Sequence, residues 1–319
     1  MKKEVLFLKS SLHEKIWGGA HLSDFGYNLP SDKVGEYWAI SGHKNGKSIV
    51  INGDFAGKSI EELWLSNSEL FGNYHKEEKV FPLLTKILDA NDWLSVQVHP
   101  DDDYAKKHEG PLELGKTECW YIISAEEGAE IIYGHNASSR EELEEKIQSA
   151  DWDHLLRKIP VKAGDFYYVP SGTMHAIGAG IVILETQQSS DTTYRVYDFD
   201  RRDESGNLRD LHIQSSIDCL TIPGNKVPKN EIKVESFGAN KITNFIQSDF
   251  FSVYKWDIQD EHEFTKIADY TLVSTLEGEG ELEIEGQIYP VKKGDHFILP
   301  TTIEKWTLKG NLSMIASHP

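Results

Sequence analysis

Three separate segments of the chain carry side chains suited to binding a metal ion. Gln97 and His99 lie two residues apart in LSVQVHP, Glu118 precedes the apolar run CWYII, and His175 follows a Pro-Ser-Gly turn. Because successive residues of a strand face opposite ways, Gln97 and His99 are predicted to share one face. Two imidazoles, a carboxylate and an amide oxygen are suitable ligands for a divalent transition metal. The sequence therefore predicts one metal site assembled from three strands.

Further polar residues extend this predicted site. Lys116 precedes Glu118 by two residues and so shares its face, and Ser95 stands in the same relation to Gln97. A carboxylate followed directly by an apolar run is expected near the core, where it needs a cation or a metal ion as a partner. Lys86 is the single cation of the apolar segment FPLLTKILDA. It either faces the pocket or lies at a strand end with its ammonium group reaching solvent.

Arg195 is a candidate binding residue in the segment TTYRVYDFDR. Strand alternation predicts that Thr193, Arg195 and Tyr197 share a face, which gives two polar groups and an aromatic ring suited to a sugar pocket. The alternative is a surface ion pair of Arg195 with Asp198 or Asp200, which would contribute little to stability.

The elements that must position these residues are mostly strands. Short β-rich runs separated by Gly and Pro, among them IVILETQ, CWYIIS and DFYYVP, indicate a barrel or sandwich. Two helical insertions are predicted at about 58–72 and 138–158, beside the strands and with solvated charged faces. Each opens on a capping-box pattern, Ser59 with Glu62 and Ser139 with Glu142.

An internal repeat predicts a second unit of the same kind. VKAGDFYYVPSGTMHAI at 161–177 is matched by VKKGDHFILPTTIEKWTL at 291–308, and Lys305 takes the place of His175. Because an ammonium group cannot ligate a metal ion, the second unit is expected to be structural. The Pro- and Gly-containing stretch 221–230 is the predicted junction. The predicted domains are therefore 1–222, with the site, and 223–319, without it.

Composition excludes several classes of protein. The 319 residues include 33 basic and 52 acidic side chains, which gives a net charge of −19. So acidic a chain is repelled by nucleic acid, and a phosphorylated ligand would require local Lys and Arg residues at its pocket. With only two cysteines, no disulfide framework is expected. No apolar segment approaches the roughly 20 residues that span a bilayer, so we expect a cytoplasmic protein that binds neither membrane nor nucleic acid.

The motifs resemble a known family. The spacing of Gly164, Pro170, Gly172 and His175 resembles the second motif of the cupins, whose usual first motif, His-x-His, is here Gln97-x-His99. The Asn that often ends the second motif is absent. With Lys116-x-Glu118 and TTYRVYDFDR, the chain resembles the short bacterial form of the type I mannose-6-phosphate isomerases. The resemblance implies a mainly β fold of two cupin barrels with a helical insertion in the N-terminal part.

The resemblance also implies an activity, a metal and roles for residues. It implies interconversion of mannose 6-phosphate and fructose 6-phosphate through a cis-enediol(ate), with one zinc ion per chain, although Mn, Fe or Co would tolerate the same ligands. Arg195 and Lys116 are then the catalytic candidates, and Ser95, Lys86 and Trp17 contact the substrate. Alternatively, Trp17 is a core residue and Ser95 an ordinary strand serine. The expected ligand is a small hexose phosphate, and the expected state is a monomer or weak homo-oligomer.

Two points stay open at the level of the sequence. The proton between C1 and C2 can be moved by Lys116, by Asp198 or by a metal-bound water. Two other functions also fit a cupin with such ligands: an iron-dependent oxygenase, and a sugar-binding protein without catalytic activity. Gln97 and the nearby cations favour a phosphorylated sugar over oxygen activation.

Overall fold

The computed structural model describes residues 3–72, 78–203, 205–229 and 231–319, so Asn230, the last residue of the predicted junction, lies outside the described residues. In chain order, the strands of the first part are β1 (Leu6–Lys9), β2 (Leu12–Gly19), β3 (Val34–Ser41), β4 (Ile49–Val50), β5 (Leu83–Ala90), β6 (Val96–Val98), β7 (Glu118–Ala125), β8 (Glu130–His135), β9 (Leu156–Pro160), β10 (Phe166–Val169), β11 (His175–Ile177), β12 (Ile181–Gln188) and β13 (Tyr194–Tyr197). The strands that follow are β14 (Lys233–Phe237), β15 (Asn240–Gln247), β16 (Ser252–Ile258), β17 (Glu261–Thr265), β18 (Thr271–Ile284), β19 (Gln287–Lys292), β20 (His296–Leu299) and β21 (Lys305–His318).

The site-bearing part is built from two antiparallel sheets. One has the order β10-β7-β12-β5-β3-β2 and the other β13-β6-β11-β8-β9. A shared core lies between them, with Ile122 and Ile183 from the first sheet packed in the same cluster as Ile131 and Ile177 from the second. Strands β5 and β12 are buried along their whole length, because both faces of the first sheet are covered. The wholly apolar stretch 181–184 of β12 follows from this double burial.

The second part forms a ten-stranded sheet around its own core. The strand order is β14-β15-β16-β21-β18-β20-β1-β4, with β17 also paired to β21 and β19 to β18. The mainly β, cupin-type fold expected from the sequence is confirmed, although none of the three sheets formed by the described strands closes on itself.

The internal repeat adopts the same turn twice. Gly164 and Gly294 have φ values of 90° and 88°, in the left-handed region that favours glycine. In each copy the following aspartate accepts a hydrogen bond from a backbone N–H three residues earlier, at 3.0 Å for Asp165 and 2.8 Å for Asp295. The two copies therefore share local structure as well as sequence.

Segments from the beginning of the chain contribute to the ten-stranded sheet of the second part. Strand β1 pairs with β20, with Leu6 opposite Ile298, and also with β4. Tyr27 adds a side-chain contact, with its hydroxyl 2.6 Å from His296 Nε2. The domain boundary between residues 222 and 223 stays a prediction.

The helices are short and lie outside the sheets. They are α1 (Ile60–Ser66), α2 (Asp102–His108), α3 (Arg140–Gln148), α4 (Trp152–Leu155) and α5 (Ile213–Cys219), with 3-10 turns at His21–Phe25, Gly53–Phe55 and Ser68–Leu70. The capping box at α1 is complete, since the Ser59 hydroxyl accepts from Glu62 N–H at 3.1 Å and the Glu62 carboxylate accepts from Ser59 N–H at 2.7 Å. At α3 only the serine half forms, because the Glu142 carboxylate accepts from Ser138 instead. Along the described ranges, no helix is long and apolar enough to cross a membrane.

Candidate metal centre and adjoining cavity

The predicted metal ligands meet between the two sheets of the first part. His175 on β11 is paired with Gln97 on β6, and both belong to the five-stranded sheet. Glu118 begins β7 in the six-stranded sheet, opposite Gln187 of β12. His99 follows β6 and keeps the same face as Gln97, as strand alternation predicts. Four residues that are far apart in the chain are thus brought together by antiparallel pairing.

The cluster is compact and almost closed to solvent. His99 Nε2 lies 3.3 Å from Glu118 Oε2, and His175 Nε2 lies 3.3 Å from Glu118 Oε1. The Gln97 side-chain amide is 3.3 Å from His175 Nε2. The two histidines and Glu118 are each 1% exposed. Among the described residues, they form the only group of three or more His, Cys, Asp or Glu residues close enough to share a metal ion.

Each histidine is held in the tautomer that a metal ion requires. His99 Nδ1 donates to the Thr192 carbonyl at 2.9 Å, and His175 Nδ1 donates to the Thr173 carbonyl at 2.8 Å. Both Nε2 atoms then point their lone pairs into the cluster. Burial lowers the pKa of His99 to about 3 and also lowers the pKa of His175, so both rings are neutral. Neutral, oriented imidazoles are the form in which histidine ligates metals.

The remaining groups also fit a divalent cation. His99 Nε2 and Glu118 Oε2 are buried without a hydrogen-bond partner in the described part of the chain, which is costly unless a ligand satisfies them. Burial alone would raise the pKa of Glu118, but Lys116 and His99 hold it well below its ordinary value. The Lys116 ammonium is 3.3 Å from Glu118 Oε2. Rotating the Gln97 amide by half a turn directs its oxygen into the cluster without moving other atoms.

A polar cavity of about 250 Å³ adjoins the cluster. Seven residues singled out in the sequence line it: Trp17, Lys86, Ser95, Gln97, Lys116, Thr193 and Arg195. Sequence reasoning missed other charged residues of the lining, which are Lys15, Glu36, Glu185, Asp191 and Arg209. The lining thus carries five cationic and three acidic side chains, in a protein whose net charge is −19. The excess of cations is the local charge reversal expected for a phosphorylated ligand.

Lys86 lies in the middle of a buried strand rather than at a strand end. Its side chain is 4% exposed, and its ammonium is 3.8 Å from Glu36 Oε2 and 3.9 Å from Glu185 Oε1. It also lies 4.7 Å above the ring of Trp38. The alternative of a lysine reaching solvent is therefore wrong, because two buried carboxylates hold the ammonium beside the cavity.

The two carboxylates around Lys86 differ in protonation. Burial would raise the pKa of Glu36, but Lys86, Lys15 and a hydrogen bond from Trp38 lower it to about 2. For Glu185, burial and the charge of Glu118 raise the pKa to about 7. Each carboxylate interrupts an apolar strand run, as Lys86 does. This interruption is the sequence feature from which Glu36 and Glu185 could have been identified as site residues.

Arg195 lines the cavity, but its neighbours differ from those expected. Its Nη1 donates to the Asp210 carbonyl at 2.7 Å. Asp198, one of the two ion-pair partners considered in the alternative interpretation, instead binds Arg201 at 2.6 Å and Arg209 at 2.7 Å. These guanidinium groups lower the pKa of Asp198, although burial alone would raise it.

Tyr197 does not share the cavity face with Thr193 and Arg195, so this prediction is wrong. The β6–β13 register shifts between Arg195 and Tyr197, which breaks the alternation. Tyr197 stacks on Trp152 instead, with ring centroids 4.4 Å apart, and lines a different cavity.

The second part differs at the position equivalent to the site. Lys305 has a side chain that is 63% exposed and pairs with Glu263 at 3.3 Å. The interior of this part is apolar, with Trp256, Leu282 and Leu308 in one buried cluster. These features agree with a structural role for the second unit.

Fold and site together define a cupin-type protein with a buried His/Glu/His cluster suited to a metal ion. The model of the family "Phosphomannose isomerase type I, catalytic domain" matches residues 5–131, and "Mannose-6-phosphate isomerase, cupin domain" matches residues 241–319. Mannose-6-phosphate isomerase from Streptococcus mutans is 60% identical over 318 residues, covering 99% of this chain and 98% of the relative. Mannose-6-phosphate isomerase ManA from Bacillus subtilis is 49% identical, covering both chains completely.

Solved structures agree with these relatives. The crystal structure of the mannose 6-phosphate isomerase from Bacillus subtilis superposes with a TM-score of 0.95 at 50% identity, covering 99% of each chain. The chain belongs to the type I mannose-6-phosphate isomerase family.

Proposed function

We propose that this protein interconverts mannose 6-phosphate and fructose 6-phosphate, using one zinc ion held by Gln97, His99, Glu118 and His175. The observation that carries the proposal is the joining of the buried ligand cluster to a cavity with five cationic lining residues. A sugar phosphate needs a cationic pocket, and an aldose–ketose conversion needs stabilised negative charge on oxygen next to the reacting carbons. Membership of the family supports the same reaction.

The ligand set favours zinc, which accepts neutral imidazoles and carboxylates and leaves a position open in catalytic sites. When bound, the ion supplies Lewis-acid stabilisation of a sugar oxygen that becomes negatively charged. The protein's own contribution is to keep both imidazoles neutral and oriented through the Thr192 and Thr173 carbonyls.

Lys116 and Arg195 are the proposed catalytic residues. Lys116 is 5% exposed and lies between Glu118 and the cavity, so its ammonium can donate a hydrogen bond to a negatively charged sugar oxygen. Arg195 presents a guanidinium group whose Nε has no partner among the described residues. Lys86 and Ser95 are proposed to bind the phosphate group, and Trp17, 4% exposed, to form an apolar wall.

The proton transfer between C1 and C2 requires a titratable group at the cavity wall. Lys116 and Glu185 meet this condition, since both line the cavity. Asp198 is less suitable, because both of its oxygens accept hydrogen bonds from arginines. We therefore assign the transfer to Lys116 or Glu185, with a Glu185→Gln variant to separate the two.

A coupled assay on purified protein tests the reaction and the metal together. The metal-loaded protein is expected to convert both sugar phosphates into each other, and treatment with a chelator is expected to abolish turnover. Adding back zinc should restore it. Metal-loaded, folded protein that leaves both substrates unchanged would refute the proposal, and oxygen consumption with Fe(II) in the same preparation would support the oxygenase instead.

A further inference from the structure

A single indole N–H lies between two buried carboxylates beside the metal centre. Trp120 Nε1 is 3.1 Å from Glu118 Oε1 and 3.2 Å from Glu185 Oε2. Trp120 is fully buried. Because an indole has one donor and no acceptor, both carboxylates share the same hydrogen.

The strand pattern explains this arrangement. Glu118 and Trp120 are two residues apart on β7 and therefore face the same way. Trp120 is directly opposite Glu185 on β12, and Glu185 is directly opposite Lys86 on β5. A row across three neighbouring strands is thus formed by Trp120, Glu185 and Lys86. The proposed metal ligand Glu118 lies beside the Trp120 end of this row, on the same strand as Trp120.

The shared N–H contacts one of the two oxygens of the Glu118 carboxylate. Glu118 Oε2 faces His99 and Lys116, while Oε1 faces His175 and Trp120. The Trp120 ring also packs edge-on to the His175 ring, with centroids 5.4 Å apart and an interplanar angle of 66°. Trp120 therefore contacts two of the four proposed ligands, although it cannot itself bind a metal ion.

We propose that Trp120 is a positioning residue whose N–H fixes the orientation of Glu118 as a ligand and holds Glu185 at the cavity wall beside Lys86. Two carboxylates in a buried site repel each other, and a donor placed between them offsets that repulsion without adding charge. Groups that orient metal ligands in this way typically change metal affinity or activity by about 10- to 100-fold when removed. The inference rests on the metal site of the proposed function.

Trp120→Phe tests the proposal, because it removes the N–H and keeps an aromatic ring. We expect zinc affinity, measured by competition with a chromophoric chelator, to fall about 10- to 100-fold. The visible absorption of the Co²⁺-loaded variant should differ from that of the parent protein, since the orientation of Glu118 changes. At saturating metal, kcat for mannose 6-phosphate should fall more than KM rises.

Trp64→Phe is the matched control. Trp64 is also buried and also donates its indole N–H, to the Glu78 carbonyl at 2.9 Å, but it lies outside the site. We expect its zinc affinity and Co²⁺ spectrum to match those of the parent protein. If Trp120→Phe leaves zinc affinity within about twofold and the spectrum unaltered, Trp120 only fills space and the inference fails.

A second variant covers the case in which Trp120→Phe does not fold. Replacing Trp120 by 3-benzothienylalanine keeps the bicyclic shape and exchanges only the N–H for sulfur. Weakened zinc binding in that protein supports the positioning role, and unchanged binding overturns it. Neither metal readout requires sugar turnover, so an inactive parent protein would refute the proposed function while leaving this test intact.

Discussion

Replacing His296 is expected to make the protein less sensitive to acid. His296 begins β20 and is 1% exposed, with Nδ1 2.9 Å from the Ser274 hydroxyl and Nε2 2.6 Å from the Tyr27 hydroxyl. Burial lowers its pKa from an ordinary value of 6.5 to about 3. No carboxylate contributes to this shift, so the ring stays neutral through the acidic range in which exposed histidines become charged.

The size of the effect follows from the difference in pKa between the folded and unfolded states. Above pH 6.5 both states are neutral at this residue, and stability is unaffected. Between pH 6.5 and about 3 the unfolded state binds one proton that the folded state does not, so stability falls as pH falls. At about pH 5.5, one unit below the pKa of the residue in the unfolded state, the free energy of unfolding has fallen by about 1.4 kcal/mol.

The assay is urea unfolding of zinc-loaded protein at about pH 7.5 and about pH 5.5. His296→Gln is expected to be less stable at the higher pH, because it disturbs the contact with Tyr27. On acidification, its free energy of unfolding should nevertheless fall by about 1.4 kcal/mol less than that of the parent protein. Tyr27→Phe, which removes the same hydroxyl contact but keeps the buried imidazole, serves as the control and should keep the parent's pH dependence. If the His296→Gln and parent stabilities fall in parallel, the reasoning from burial is refuted.

Two further substitutions address the cavity. Arg195→Ala should lower kcat/KM by about 10²- to 10³-fold in the coupled assay, while the zinc content measured by atomic absorption stays unchanged. Arg140→Ala, at an exposed helical position, is the control and should keep full activity. A normally active Arg195→Ala variant would show that Arg195 has another role. Lys86→Met should destabilise the protein by about 3–5 kcal/mol in urea unfolding, because Glu36 and Glu185 lose a buried cation. Adding Glu36→Gln to that variant should recover part of the loss, and no recovery would show that the ammonium is not balancing Glu36.

The proposed metal ligands were accessible from sequence because each depends on a local rule. Two-residue spacing on a strand put Gln97 and His99 on one face, and Glu118 stood out as a carboxylate leading into an apolar run. The capping box at Ser59 was readable for the same reason, since its partners are three residues apart. Resemblance to a family then joined the separate segments into one predicted site.

Other features depend on strand pairing that no local pattern encodes. Glu36 and Glu185 surround Lys86 only because β3, β5 and β12 are neighbours in one sheet. The wrong prediction for Tyr197 has a related cause, because a register shift in the β6–β13 pairing breaks the alternation that the sequence implied. The pairing of β1 with β20, at opposite ends of the chain, likewise had no signal in the spacing of residues.

The sequence by itself determined the residue types of the proposed metal centre, the repeated strand-turn-strand unit and the presence of Lys305 at the position of His175 in the repeat. Tertiary structure alone decided which cations and carboxylates reach the cavity, and it placed the Trp120 N–H between Glu118 and Glu185. The physical reason is the range of the interactions. Strand alternation and helix capping act over two to four residues, whereas the electrostatic environment of a buried group depends on every element packed around it.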